Sequence, residues 1–211
     1  MLTNAGGEGV RVPRFDYPDD EKKYDWLSML LDAYHIVDEA SQAGIVKEQK
    51  VRGQKVACTK GCFHCCINHE IPITEIELAG ISWFVSEKLT GNERKTVKKQ
   101  LLKYGKSGPC PFLTETVCSI YPVRPLACRS FFMFGPPCEL NVDPLKTRPG
   151  DIWSHGRQVA MKVAERILPF WGITKAKDRL EAFESGFILE VSVPMHTCKW
   201  KNLVLTMERF E

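Results

Sequence analysis

Long hydrophobic runs are missing from this sequence. No stretch of about 18 consecutive apolar residues occurs, which is the minimum for a membrane-spanning helix. The first fifteen residues contain glycines and an acidic residue but no apolar stretch of signal-peptide length. From these absences we expect a cytoplasmic protein without a membrane partner.

An excess of charge of one sign is missing too. Lysine and arginine total 29 and aspartate and glutamate 26, a formal net charge of +3. Such a balance does not favour nucleic acid or an anionic membrane as the main partner. The sequence also lacks the phosphate-loop, dinucleotide-binding, HExxH zinc and GxSxG nucleophile motifs. Its 44% hydrophobic and 10% aromatic content is that of a globular chain.

Cysteine is what the sequence has in abundance, with nine residues among 211. Disulfides are rare in reducing compartments, so a cysteine-dense chain without a secretion signal more often binds metal. The odd count also argues against a complete disulfide framework. We therefore interpret these cysteines as metal ligands.

Eight of the nine cysteines form two groups. The first cysteine group consists of Cys58, Cys62, Cys65 and Cys66. The second cysteine group consists of Cys110, Cys118, Cys128 and Cys138. Four cysteines within nine residues, on a loop that contains Gly61, allow several sulfurs to meet at one centre. This spacing indicates metal without indicating which metal.

The neighbours Cys65 and Cys66 bear on the number of centres. Adjacent side chains diverge by about 100° on a helix and about 180° on a strand, so such a pair seldom ligates a single ion. Eight thiols could supply two four-thiolate sites, one cluster plus a separate zinc, or one cluster and several structural thiols. The sequence leaves these alternatives open.

Cationic residues near the cysteines could balance the charge of a thiolate centre. Four thiolates around Zn²⁺ or a [4Fe–4S]²⁺ core leave a net charge near −2, which is costly to bury. Lys60, Arg124 and Arg129 are the candidate cofactor-binding cations. Of the histidines near the first group, His64 and His69 are as consistent with outer hydrogen-bond donors as with ligands.

The remaining pattern predicts a mainly α-helical single domain around an irregular cysteine- and proline-rich segment. We expect a flexible lead-in over residues 1–19 and a single domain over 20–211, with the metal module at 58–138. Eight of the thirteen prolines fall between residues 109 and 149, where only a small hairpin around 112–121 is expected. The predicted helices are residues 20–41 with a stop at Gly44, a helix from the capping box Thr74/Glu77 to near Gly91, and residues 92–104, 151–168 and 175–191.

The cysteine-rich stretch resembles a known family. The matching features are the first cysteine group, Cys110-Pro-Phe-Leu, and the run from Cys118 through Tyr121-Pro-Val-Arg124-Pro-Leu-Ala-Cys128-Arg129. They are typical of the zinc- or iron-chelating cysteine-cluster family with a CxxxCxxCC pattern, of which flagellin lysine methylases are a distant branch. The resemblance covers about residues 58–138. It implies that all eight cysteines of the two groups are metal ligands.

That resemblance implies a small cysteine-rich metal module, for which an iron–sulfur cluster, [4Fe–4S], is our first choice and zinc the alternative. Its methylase branch adds S-adenosylmethionine as a cofactor and methyl transfer as a reaction. The competing hypotheses are a zinc-stabilised structural or binding module and a metal storage or delivery protein. The substrate or protein partner is unknown. A radical S-adenosylmethionine enzyme is disfavoured because His64 replaces the usual aromatic residue and no repeated strand–helix units follow.

Overall fold

The computed structural model describes residues 12–68, 70–105 and 108–210, with only the backbone of Asn68. The fold is mainly α-helical, as predicted. The α-helices of these residues are α1 (Pro18–Lys23), α2 (Asp25–Arg52), α3 (His64–Asn68), α4 (Glu75–Trp83), α5 (Gly91–Lys103), α6 (Leu126–Arg129), α7 (Pro144–Thr147), α8 (Arg157–Ile167), α9 (Ala176–Glu184), α10 (Phe187–Glu190) and α11 (Trp200–Glu208). A π-helical turn, Phe84–Lys88, extends α4.

Within the described ranges, three short antiparallel strand pairs accompany the helices. The strands are β1 (Pro72–Ile73), β2 (Leu113–Thr114), β3 (Val117–Cys118), β4 (Phe132–Met133), β5 (Ile152–Trp153) and β6 (Val193–Pro194). They pair as β1 with β6, β2 with β3, and β4 with β5. The β2–β3 pair confirms the predicted hairpin in the cysteine-rich segment, with Leu113 opposite Cys118.

The long helix α2 forms the centre of the core. The helical spacing predicts an apolar stripe of Tyr24, Leu27, Leu31, Tyr34 and Val37. The last four are buried, whereas Tyr24, at the N-cap, is half-buried. This helix packs against α4, α6 and α8, while α11 packs against α5. Together these helices make one apolar cluster, against which Cys110 and Cys118 also pack.

The predicted helix stop at Gly44 is wrong. Helix α2 continues through Gly44 to Arg52, and Gly53 in the left-handed region ends it. A Cβ atom on Gly44 would lie 2.0 Å from the Trp153 ring. Glycine is therefore present here because the indole packs on the helix backbone.

Two other predicted helices have different bounds. The helix predicted at 151–168 begins only at Arg157, because residues 149–153 form a 3₁₀ turn and strand β5. The helix predicted at 175–191 is divided into α9 and α10 by Gly186, whose φ is 79°. The capping box of Thr74 and Glu77 is confirmed at the start of α4.

The N-terminal segment packs onto the helices from Arg14 onward. Arg14 forms ion pairs with Asp16, Glu21 and Asp32. The rest of the predicted lead-in, residues 1–11, lies outside the described residues. In the part of the chain that the structure describes, we find no helix of the length and apolarity needed to cross a membrane.

Candidate metal centre

The backbone joins the chain segments that carry the two cysteine groups. Just before Cys58, Val56 forms a β-bridge with Phe134, and the Ala57 amide donates to the Met133 carbonyl at 2.7 Å. The Met133 amide in turn donates to the Cys58 sulfur at 3.3 Å. Because residues 56–58 and 133–134 are paired directly, the first group lies beside the loop that leads to Cys138.

A second backbone link lies at the other end of the first group. The Cys110 amide donates to the Cys66 carbonyl at 2.7 Å. This hydrogen bond joins two segments that are more than forty residues apart in sequence, and each segment contributes a cysteine to it. The two links bring both cysteine groups into one region of the protein.

A tight turn positions the first cysteine group. The Cys62 amide donates to the Thr59 carbonyl at 3.0 Å, and Gly61 has a φ of 85°. Glycine at the third position of such a turn adopts this left-handed conformation without steric cost. The turn directs the chain into α3, which carries Cys65 and Cys66.

A buried guanidinium organises the loop around Cys128. The Arg129 side chain is fully buried, forms a 2.5 Å ion pair with Asp38, and stacks over the Tyr34 ring at 4.1 Å. It also donates to the carbonyls of the preceding proline-rich turn, those of Tyr121, Pro122 and Arg124. Helix α2 therefore anchors the loop between Cys118 and Cys128.

The buried carboxylate of Glu77 holds the same loop from the other side. Its side chain accepts hydrogen bonds from the Thr74 amide and hydroxyl and from the Leu126 amide. Burial raises the pKa of Glu77, while these hydrogen bonds and nearby Arg129 oppose the increase. Sequence reasoning identified Glu77 only as a helix cap, because its contact with Leu126 spans 49 residues.

Arg148 closes the loop that carries Cys138. Its guanidinium donates to the carbonyls of Phe134, Pro136 and Pro137 and to the Asp151 carboxylate. Since three of these acceptors precede Cys138 and Arg148 follows it, the loop closes on itself beside the first group. Apart from an arginine next to a proline, no sequence signal indicates this role.

Two thiol pairs form in the first group. The Cys58 thiol hydrogen-bonds to Cys62 and lowers the pKa of Cys62 to about 6, with smaller contributions from the His64 amide and ring. Cys66 likewise lowers the pKa of Cys65. The pKa values of the donors Cys58 and Cys66 are raised, first by these hydrogen bonds and then by burial.

Burial keeps the second group protonated in the absence of metal. It raises the pKa of Cys110 to about 12, and it also raises the pKa of Cys118, Cys128 and Cys138. The thiol charges also interact between groups, because Cys65 raises the pKa of all four of these thiols. Eight thiols therefore form one electrostatic network.

The thiols do not yet stand in a coordination geometry. Across residues 12–68, 70–105 and 108–210, no three histidine, cysteine, aspartate or glutamate side chains are arranged to hold a metal ion. Sulfurs of a tetrahedral zinc site lie about 3.8 Å apart, given Zn–S bonds of about 2.3 Å. Metal ligation therefore requires the thiols to rearrange. The donor chemistry fits a thiolate-bound metal, and all nine cysteines are free of disulfides.

The three predicted cations occupy different positions. Arg124 has a buried Nε atom without a hydrogen-bond partner, and its charge lowers the pKa of Cys65, Cys118 and Cys128. Arg129 lowers the pKa of Cys118 while its donors serve Asp38 and backbone carbonyls. Lys60 is exposed and lines a cleft beside Cys62.

The histidines and the ninth cysteine lie mostly elsewhere. His155 precedes α8 and hydrogen-bonds to the Ser130 hydroxyl at 2.9 Å, and His196 lies 3.8 Å from the Glu70 carboxylate. Cys198 packs at the edge of the apolar core. His64 has a buried Nδ1 without a partner. The predicted outer donor His69 lies outside the described residues.

Comparison with known proteins identifies the cysteine-rich segment. Residues 57–148, less than half of the chain, match the family described as "Putative zinc- or iron-chelating domain". The predicted resemblance is confirmed for this segment, which is similar to that family. No curated protein and no solved structure matches the chain.

Proposed function

We propose that this protein binds an iron–sulfur cluster through cysteine thiolates, with [4Fe–4S] as the first choice and zinc as the alternative. The ligands are the thiolates of the two groups: Cys58, Cys62, Cys65, Cys66, Cys110, Cys118, Cys128 and Cys138. The observation that carries the proposal is the pairing of residues 56–58 with 133–134 and of Cys66 with Cys110. These links give eight soft donors to one region, as thiolate-binding metals require.

The backbone links favour a division into two four-sulfur sets. The first set comprises Cys66, Cys110, Cys118 and Cys128, because the Cys110 amide donates to the Cys66 carbonyl. The second set comprises the remaining thiols of the first group together with Cys138, whose pKa is raised by Cys62 and Cys65. Because neighbouring side chains diverge, Cys65 and Cys66 suit different sets. Either set can hold a cluster or a zinc ion.

The residues around the thiols have defined tasks in this proposal. Arg124 offsets the negative charge of bound thiolates and has an Nε hydrogen free for a sulfur acceptor. The Met133 amide already donates to the Cys58 sulfur. Arg129, Glu77 and Arg148 hold the loops so that the second group faces the first. A bound iron–sulfur cluster would supply electron transfer or Lewis acidity.

A purely structural metal is the less favoured function. In small zinc modules the metal supplies the folding free energy, because no sufficient core exists. Here a helical core and buried polar contacts of Arg129 and Glu77 already hold the proline-rich segment. The metal is therefore available for chemistry, and S-adenosylmethionine-dependent methyl transfer, which the methylase branch suggests, is the reaction to test first.

Anaerobic isolation tests the identity of the metal. We expect iron and acid-labile sulfide in equal amounts, with a broad visible absorption that dithionite bleaches. Zinc without sulfide in a colourless protein would exclude the cluster and leave the zinc alternative.

A parallel calorimetric titration with S-adenosylmethionine should show saturable binding that disappears in the Cys65→Ser variant. If the Cys65→Ser variant binds S-adenosylmethionine as well as the wild type does, binding of this cofactor does not depend on the cluster.

A further inference from the structure

A cleft of about 340 Å³ opens beside the first cysteine group. Its wall contains two thiols from different groups, Cys62 and Cys138, together with Lys60 and His64. This volume lies at the small end of the range for ligand pockets, about 300–1,000 Å³. A small molecule seated here would touch the sulfurs at the outer side of the thiol network.

One end of the cleft is cationic. Lys60 occupies the corner of the turn that Gly61 closes, and it makes no ion pair with any described residue. No aspartate or glutamate is among the described residues that line the cleft. An ammonium group with no carboxylate nearby attracts an anionic group of a ligand.

His64 is among the residues that line the cleft, and its Nδ1 atom is buried and has no hydrogen-bond partner. Leaving a buried polar atom unpaired is unfavourable, so a ligand that brings a polar group within reach of Nδ1 would satisfy it. The ring is held by stacking on Phe63, with centroids 5.4 Å apart.

The remaining wall is made of small residues, some polar, such as Thr59, and some apolar. Val56, Ala57 and Pro137 supply apolar surface, and Gly135, at a φ of 80°, removes a side chain from it. This surface suits a short hydrocarbon or other uncharged body. Charge at one end and apolar contact along the body define the complementary ligand.

We propose that this cleft binds a small organic anion, whose charged group pairs with Lys60 and hydrogen-bonds to His64 while its body reaches Cys62 and Cys138. This inference rests on the proposed function, because Cys62 and Cys138 in the cleft wall are also proposed metal ligands, whereas Lys60 and His64 are not. The cleft would then be the entrance through which a substrate reaches the metal centre. The charge and size of its wall indicate that this substrate is a small organic anion.

The test compares the binding of butyrate with that of its neutral analogue butyramide. Both ligands are added at constant ionic strength to the anaerobically isolated protein. We expect saturable shifts of the His64 ring signals in NMR spectra, with butyrate binding at least tenfold more tightly than butyramide. Lys60→Gln should weaken butyrate binding at least tenfold. Lys99→Gln, which alters an exposed lysine on α5, should change it less than twofold.

The proposal is overturned if butyrate produces no saturable shift, if butyramide binds equally well, or if Lys60→Gln binds like the wild type. Metal content is measured on each sample. Normal metal with no butyrate binding refutes the cleft alone, whereas butyrate binding to a protein devoid of metal refutes the metal proposal alone. His64→Gln should weaken butyrate binding without reducing metal content, and retained affinity would remove His64 from the site.

Discussion

Single residues determine how firmly the second cysteine group is held. Arg129 is the largest fully buried side chain, and its charge is balanced by Asp38 and stacked on Tyr34. The sequence indicated an arginine beside Cys128 but predicted sulfur as its partner. Residue spacing could not identify Asp38 as the partner of Arg129, because a single acidic residue beside an apolar stripe is common on helices. Only the fold brings residues 91 positions apart together.

Removal of the Arg129 guanidinium should be costly. Arg129→Ala leaves Asp38 and several carbonyls unpaired, and breaking a buried pair costs about 3–5 kcal/mol. Urea denaturation should show this loss, and the metal content should fall because the Cys128 loop is no longer anchored. Arg166→Ala, at an exposed position on α8, serves as the control with a change within about 0.5 kcal/mol. Equal stabilities of the two variants would refute the role given to Arg129.

Glu77 makes a pH-dependent contribution to stability. Its pKa is raised in the folded protein, so the folded state holds a proton more tightly than the unfolded chain. The free energy of unfolding should therefore fall as pH rises from the unfolded pKa of about 4.3 to the raised folded value. Glu77→Gln should remove that part of the slope and cost about 1–3 kcal/mol at neutral pH, because an amide cannot accept all three hydrogen bonds. Identical pH slopes of unfolding in both proteins would contradict this assignment.

The elements of the fold show where sequence patterns suffice. The stripe of α2, the capping box of α4 and the β2–β3 hairpin are local signals, and the structure confirms all three. Helix α11 was missed, although Trp200, Leu203, Val204 and Met207 have helical spacing and are buried. The β4–β5 and β1–β6 pairs involve two-residue strands with no local signature. Such pairings depend on tertiary packing.

Gly44 provides a test at the level of helix α2. Alanine is the better helix former by about 1 kcal/mol, yet its Cβ would meet the Trp153 ring. We expect Gly44→Ala to destabilise the protein by about 1–3 kcal/mol, as overpacked sites do. Thermal unfolding measures the effect. Ala43→Gly, at the neighbouring exposed position, serves as the control and should cost about 1 kcal/mol from lower helix propensity alone. If Gly44→Ala instead stabilised the protein, Trp153 would not pack against the helix at this position.

The whole molecule combines a helical scaffold with a cysteine-rich loop region. The scaffold has its own apolar core, while the cysteine segment consists of short turns held by backbone links and buried polar groups. Composition and cysteine spacing were enough to predict this division. They could not predict which thiols meet, because that depends on pairing between residues distant in sequence.

Metal removal should separate the two parts. Treatment with a chelator should abolish metal-dependent absorption while far-ultraviolet circular dichroism retains most of the helical signal. Amide hydrogen exchange should accelerate in residues 110–138 and remain slow in the buried part of α2. Global loss of helix upon chelation would show that the metal drives folding, which would favour the structural-module hypothesis.

The most direct measurement is the metal content of two matched variants, Cys65→Ser in the first group and Cys128→Ser in the second, each isolated anaerobically beside the wild type. Far-ultraviolet circular dichroism of each sample reports whether the fold is retained. If thiolates of both segments share one metal-binding region, both variants should bind substantially less metal than the wild type while remaining folded. Wild-type metal content in either folded variant would contradict the account.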